Sequence, residues 1–334
     1  MAAGVLAGGP ARSASRRRRD RLEQLQAWAF VLPAVGLLLV FHILPAVFAF
    51  VMSLYDWRVI QGPFRGLGNY ADVLLPGGRL TEEFLRSIGT TFTYVLFTVP
   101  FELAISLVIA YVLFQKMRGR GIYRTVYYLP YITATVAAAV VFAWLLNPNY
   151  GLFNWLLSFV GIGPQAWLDE PRGLFELILS AAGITVPAWA AGPSLALVGV
   201  CIFTIWHYVG FQIVIFLAGL GTISQEYYEA ARLDGANERQ LFFRITLPLL
   251  SPTTFFLATI ATIGALRSFN QVYVLTNGGP LGTTTVATYE IFKTFFQRGA
   301  DFGHGAAMSF VLTAIILGLT FLQFRFVERR VFYG

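Results

Sequence analysis

Cysteine, lysine and histidine are nearly missing from this chain of 334 residues, and charge of either sign is scarce. The single cysteine, Cys201, stands inside an apolar run, so neither a disulfide framework nor a thiolate metal cluster can be built; it reads as a small buried hydrophobe. The three histidines, at positions 42, 207 and 304, offer no HExxH spacing or other ligand cluster, which argues against a membrane-embedded metalloenzyme. Of 24 basic residues only Lys116 and Lys293 are lysine. No GxxxxGK[ST] phosphate loop occurs, so the chain cannot hydrolyse a nucleotide by itself. Charged residues make up 12% of the chain and hydrophobic residues 57%, more apolar surface than a soluble domain of this size can hide, so the bilayer is the expected solvent. The net charge of +7 does not indicate nucleic acid, because the basic residues gather at the ends of apolar runs rather than in one patch.

What is present is a series of long apolar runs. A spanning helix needs about 20 mostly apolar residues. Six stretches qualify: 28–54, 88–114, 122–146, 195–219, 253–275 and 305–327. The expected architecture is therefore an all-α, polytopic membrane protein of six transmembrane helices: a basic tail over 1–27, a six-span domain over 28–327 and a short tail over 328–334. The first run is too long for a signal-peptide core and lacks a small-residue cleavage site after it, so it is expected to stay as a transmembrane helix. Arg16 to Arg19 before it suit a cytoplasmic anchor beside anionic lipid. With the N-terminus inside, sixteen basic residues fall in cytoplasmic segments and seven in external ones, which places both termini in the cytoplasm.

The external segment 147–194 carries a duplication. GLFNWLLSFVGI at 151–162 returns as GLFELILSAAGI at 173–184, and at the same offset Ala166, Trp167 and Pro171 match Ala188, Trp189 and Pro193. Each copy reads as a short amphipathic helix along the outer interface, with its tryptophan at headgroup level. An enlarged cap that meets a partner and a tolerated loop insertion are equal readings.

Between the fourth and fifth runs, the segment 220–252 is dense in charge and helix signals. Ser224 can cap a helix carrying Glu226 and Glu229 in its first turns. Gly235 is the natural exit, through a left-handed residue. Asn237 with Gln240 forms a capping box for a second helix, whose apolar face is Leu241, Phe242 and Ile245. Pro248 and Pro252 then lead into the next span. A helix, a tight turn and a second helix result, with Ala230 and Ala231 small enough for close approach to another surface.

The string Glu229-Ala230-Ala231-Arg232-Leu233-Asp234-Gly235-Ala236, followed by Phe242 and Leu247-Pro248, resembles the EAA loop of ABC importer permeases. GLGNY at 66–70, YRTVYYLPYI at 123–132, FAWLLNPNYGLFN at 142–154 and FNQVYVLTNGGP at 269–280 are similar to further landmarks of the binding-protein-dependent carbohydrate permeases. The likeness is to the first-permease type that serves maltose, lactose or glycerol-3-phosphate, and it spans about 28–330. The duplicated unit departs from it. The resemblance implies a permease subunit, not an enzyme, in a bacterial cytoplasmic (inner) membrane. Its loop (Glu229, Ala230, Ala231, Asp234, Gly235, Ala236, Phe242, Pro248) would couple to one of two cytoplasmic ATPase subunits that bind ATP and Mg. The other implied partners are a second permease subunit, an extracellular or periplasmic sugar-binding protein, membrane lipid and a carbohydrate substrate.

Polar groups at membrane depth are costly and point to function by default. Glu102 in span two, His207 with Tyr208 in span four, and Arg267 with Asn270 and Gln271 in span five are the candidates for a substrate path. An arginine near mid-membrane costs on the order of 2.5–3.5 kcal/mol, so Arg267 should face protein or water. Asn and Gln both donate and accept, which suits sugar hydroxyls. Competing structural readings are an Arg267–Glu102 pair, a hydrogen-bonded core role for His207, and a loop position for His304. An ion-coupled secondary transporter would want paired midplane acids and an inverted repeat; only Glu102 is present and no repeat is seen. Arg267 would suit glycerol-3-phosphate or another polyol phosphate, the alternative substrate class.

Overall fold

The computed structural model describes residues 14–115, 118–328 and 331. Residues 1–13 of the basic tail, Lys116 and most of the tail over 328–334 lie outside the described residues. The chain opens with α1 (Ala14–Leu38), which passes through one π-turn into α2 (Leu44–Ser53). The continuous stretch Glu23–Ser53 is apolar all round and none of its most hydrophobic window is buried within the chain, as expected of a helix whose neighbour is lipid. At its far end α2 turns a ring against the last long helix, Phe50 to Phe310 at 5.4 Å.

A two-stranded antiparallel ribbon follows, β1 (Tyr55–Trp57) against β2 (Gln61–Phe64), with Tyr55 opposite Phe64. This is a small departure from the all-α expectation. Then come α3 (Gly68–Leu74) and α4 (Arg79–Phe114), whose 36 residues make a rod of about 54 Å. α5 (Arg120–Ile132) and α6 (Thr135–Leu145) are bent by 100° at their junction. Two short helices, α7 (Leu152–Ser158) and α8 (Leu174–Ala181), precede α9 (Leu195–Gly221). Next are α10 (Gln225–Leu233), α11 (Glu238–Leu241) and, after a π-turn, α12 (Leu247–Leu249). α13 (Ser251–Leu266), α14 (Asn270–Leu275), α15 (Ala287–Phe296) and α16 (Phe302–Leu322) complete the described helices.

Among the described residues, four helical stretches are each long and apolar enough to cross a bilayer, or up to six if each of two bent pairs counts as one span. The second pair, Glu238–Leu249 with Ser251–Leu266, bends by 65°. The fifth run therefore differs from the continuous span expected over 253–275: its helix stops at Leu266, and α14 starts anew at Asn270 after Phe269 at φ −138°. Tyr94 explains the stop. Its fully buried hydroxyl accepts hydrogen bonds from Ser268 Oγ (3.3 Å) and Gln271 Nε2 (3.0 Å) while donating to Thr204 Oγ1 (2.8 Å). The polar side chains that flank the break, Ser268 and Gln271, thus find a buried partner, where an unpaired polar group is costly.

The core lies along the α4–α9 seam. One apolar cluster gathers Tyr94, Phe142, Leu197 and Phe203; a second, Leu113, Ile213, Phe216, Leu220 and Leu250. α5 crosses α9 at Gly210, where a Cβ would stand 2.0 Å from the Tyr127 carbonyl oxygen. Small residues at such crossings let backbones approach within a membrane.

Near the ribbon, Asn69 donates to the carbonyls of Ser53 (2.9 Å) and Tyr55 (2.7 Å), which gives the GLGNY segment a structural role. His304 was expected in a loop. It sits instead in the first turn of α16, where Asp301 caps the helix, with its ring between Asp301 (2.8 Å) and Asp72 (3.0 Å). Asp72 in turn pairs with Arg65 at 2.9 Å.

Candidate functional site

Between α4, α5, α9, α13 and α14 the helices leave a cavity of about 160 Å³. Most of its polar lining comes from two stripes, with Tyr131 and Gln271 beside them. On α4, Tyr94, Thr98 and Glu102 recur every fourth residue; on α9, Thr204, Tyr208 and Gln212 do the same. A spacing of four keeps side chains on one helical face, and that pattern was the sequence signal for Tyr94, Thr98 and Gln212, which isolated charges do not reveal. The stripes meet: Tyr94 bonds Thr204, Thr98 Oγ1 lies 3.5 Å from Cys201 Sγ, and Ser106 Oγ donates to Gln212 Oε1 (2.9 Å). The Gln212 amide then faces the Glu102 carboxyl, which is 3% exposed. Tyr131 of α5 closes one side, stacked on Phe211 at 4.9 Å.

The cavity brings together Glu102, Tyr208 and Gln271 of the expected path residues, and leaves out Arg267, Asn270 and His207. Arg267 terminates α13 and is exposed toward a separate groove lined by Thr288, Ser309, Leu312 and Thr313. It stands at the end of α13 rather than within a continuous span, because the helix stops at Leu266. Nor does it pair with Glu102, whose neighbour is Gln212. Asn270 is exposed at the start of α14. His207 is buried beside the cavity without lining it, its Nε2 3.3 Å from Thr135 Oγ1 and its ring stacked on Phe203, so it is built into the core. Among the described residues, no basic one lines the cavity. Its volume gives room for a few waters or one small ring, below the 300 Å³ or so at which drug-sized ligand sites begin.

At the other end of α9, the charged loop folds as a helix, a turn and a second helix. Ser224 Oγ accepts from Glu226 N (3.3 Å), and the Asn237–Gln240 capping box forms with bonds of 2.8 and 2.9 Å. Asp234 is the last residue of right-handed geometry before Gly235, which takes φ +83°. Ala236 N then reaches back to Ala231 O (2.9 Å), closing the turn. The two arms are tied by Tyr228 Oη to Thr246 Oγ1 (3.1 Å) and by Arg232 to Glu238 (3.1 Å), while the Phe242 ring meets Tyr111 of α4 edge-on at 4.7 Å. Ala231 and Ala236 pack inward against the second core cluster. Glu229, Ala230, Asp234 and Pro248 are exposed. At the tip stands Leu233, 89% exposed, a large apolar side chain that the chain itself leaves uncovered.

Residues 74–333 match the family described as binding-protein-dependent transport system inner membrane component. The chain is 34% identical over 300 residues to the trehalose/maltose transport system permease protein MalF of Thermococcus litoralis, covering 89% of this chain and 92% of that one. It is 30% identical over 310 residues to the sn-glycerol-3-phosphate transport system permease protein UgpA of Agrobacterium fabrum, covering 92% and 96%. A solved bacterial ABC transporter involved in the import of the acidic polysaccharide alginate shares its fold, with a TM-score of 0.75 at 22% identity over 94% of this chain and 99% of that one. A family match across most of the chain, relatives at this identity over nearly its full length, and the common fold converge: the chain belongs to the binding-protein-dependent transport system inner membrane components, the permease family of ABC transporters.

Proposed function

We propose that this chain is one permease half of an ABC importer for a sugar, lying in a bacterial cytoplasmic membrane with both termini in the cytoplasm. It works with a second permease subunit, two cytoplasmic ATPase subunits that bind ATP and Mg, and an external sugar-binding protein. The observation that carries the proposal is the α10–α12 segment. It is a doubly capped element fastened to α4 and α9, and its apolar tip, Leu233, has no cover among the described residues.

In this role α10 and its turn enter a cleft on an ATPase subunit. Closure of the ATPase pair on ATP pulls the two permease halves together at that end. The motion passes through Tyr228, Phe242 and the second core cluster to α4 and α9, which bound the cavity. Nucleotide drives the change only insofar as it binds the closed arrangement better than the open one. The cavity is this half's share of the path. Glu102, Gln212, Gln271 and the hydroxyls donate and accept as sugar hydroxyls require, and the tyrosine rings give apolar faces for sugar C–H groups. A phosphorylated polyol is the weaker substrate reading, because the arginine that would have suited it faces another groove.

The test is a photo-crosslinking residue at Leu233 in native membranes. The expected product is a conjugate with an ATPase subunit carrying a phosphate loop, reduced when Gly235 is replaced by valine. Labelling of lipid or of this chain's own segments alone would make the loop a membrane-surface connector and remove the proposal's main support.

A further inference from the structure

We infer that the second copy of the duplicated unit, residues 173–194, is a membrane anchor seated among the acyl chains and carbonyl groups of the leaflet at the N-terminal ends of α4 and α9, the outer leaflet in the orientation proposed above. The two copies share one backbone. Gly151 and Gly173 open their helices at φ/ψ of −70°/141° and −67°/146°. Gly161 and Gly183 close them at φ +75° and +76°, and Ile162 N and Ile184 N reach back to Leu157 O (3.1 Å) and Leu179 O (2.9 Å).

The copies differ at five of the twelve positions over 151–162 and 173–184, and the difference that bears on the tryptophan is Asn154 against Glu176. In the first copy Asn154 donates to the carbonyls of Pro148 (3.0 Å) and Gln165 (2.9 Å) and accepts from Trp167 Nε1 (2.8 Å), which holds the tryptophan against the core. The second copy has Glu176 at that position, and an ionised carboxylate only accepts. Its tryptophan, Trp189, stands 88% exposed, with Ile178 at 58% and Ile184 at 53%.

The unit's place in the fold says what covers them. The Phe175 ring lies 6.2 Å from that of Phe97 on α4. Phe97 neighbours Thr98, which contacts Cys201, six residues into α9 and therefore about 9 Å below that helix's start. α8 thus runs beside the spanning helices at membrane depth, not above them. Around it α4 exposes Phe92 and Leu96, so Phe175, Ile178 and Ile184 continue a face that already meets lipid. Glu176 is the only charged residue in 173–194, whereas a surface that docks a water-soluble protein carries a polar rim. A tryptophan at the edge of such a face matches the aromatic belt of membrane interfaces.

The experiment uses the assembled complex in lipid nanodiscs on a Cys201→Ser background, with Ile178→Cys and Trp189→Cys each carrying an environment-sensitive fluorophore. Both positions are exposed, so the fold should tolerate the label. Doxyl-labelled phosphatidylcholine is expected to quench both probes more than aqueous iodide does, with Ile178 quenched from deeper chain positions than Trp189. Stronger quenching by iodide would put the unit in water and overturn the inference. Protection from both quenchers would show a partner protein covering it, and would overturn it equally.

Discussion

Replacing Gly210 by alanine tests the crossing that sets the width of the cavity. The added Cβ would stand 2.0 Å from the Tyr127 carbonyl oxygen, 2.8 Å from its carbon and 3.0 Å from Tyr128 Cα. All three are backbone atoms, so no side-chain rotation relieves the clash. To restore even 3.0 Å, α5 must recede from α9 by about 1 Å. That displacement is carried to Tyr131, one turn further along α5, which stacks on Phe211 and walls the cavity. Overpacking of this kind costs roughly 1–3 kcal/mol. The expected outcome is a fall of several degrees in the melting temperature of the purified complex, with a larger fractional loss of transport than of membrane-inserted protein. Gly89→Ala is the matched control: nothing lies within 4 Å of its Cβ position, so stability should hold. If Gly210→Ala melted and transported like Gly89→Ala, α5 and α9 would be looser than described and the tight-crossing reasoning would fail.

Three further outcomes are expected. Tyr94→Phe removes the hydroxyl shared by Thr204, Ser268 and Gln271; stranding buried polar groups costs on the order of 1–3 kcal/mol, read as a lowered melting temperature, and an unchanged value would mean the α13–α14 break is held by packing alone. At Gly235 a Cβ meets open space, so Gly235→Val suffers only the left-handed backbone, roughly 1–2 kcal/mol, and should impair ATP-driven transport more than Gly235→Asn, since asparagine accepts that conformation; equal activity of the two would refute a conformational role for the glycine. The hydrogen bond from His304 holds the Asp72 carboxyl below its ordinary 3.8, with desolvation opposing and Arg65 assisting. A carboxylate depressed in the folded state stabilises it above the unfolded value and loses that contribution as pH falls through the folded one. Melting temperature should therefore drop more steeply below about pH 4 in the parent protein than in Asp72→Asn, and parallel curves would count against the clasp.

The helix–turn–helix between Ser224 and Leu249 was readable because its signals are local: a serine cap, a glycine at a left-handed position and an asparagine–glutamine box each act within four residues. Which faces of it are free was not local. Ala231 lies against the core while Leu233 is uncovered, a difference set by α4 and α9 rather than by the loop's own pattern. The apolar runs were likewise plain, but hydropathy is blind to direction. Averaged over a span-length window it carries on across 133–134 and 267–269, where the chain bends or restarts. The second of these breaks depends on Tyr94, more than 170 residues away in sequence.

The cavity was half legible for a related reason. Glu102, Tyr208 and Gln271 stood out as single polar residues in apolar runs, and so did Arg267, although only the first three share a wall. A lone polar residue says that a partner exists, not on which side it lies. Two stripes say more. Residues four apart advance about 40° around a straight helix, so the row from Tyr94 to Ser106 winds by about 120° over three steps. Two such rows can stay in contact only if their helices cross and wrap. The contacts 94–204, 98–201 and 106–212 show the two helices meeting along their seam. The cavity therefore sits where the polar rows of α4 and α9 meet and α5 cannot close fully over them. A change in the α4–α9 crossing would open or shut it without any side chain leaving its stripe.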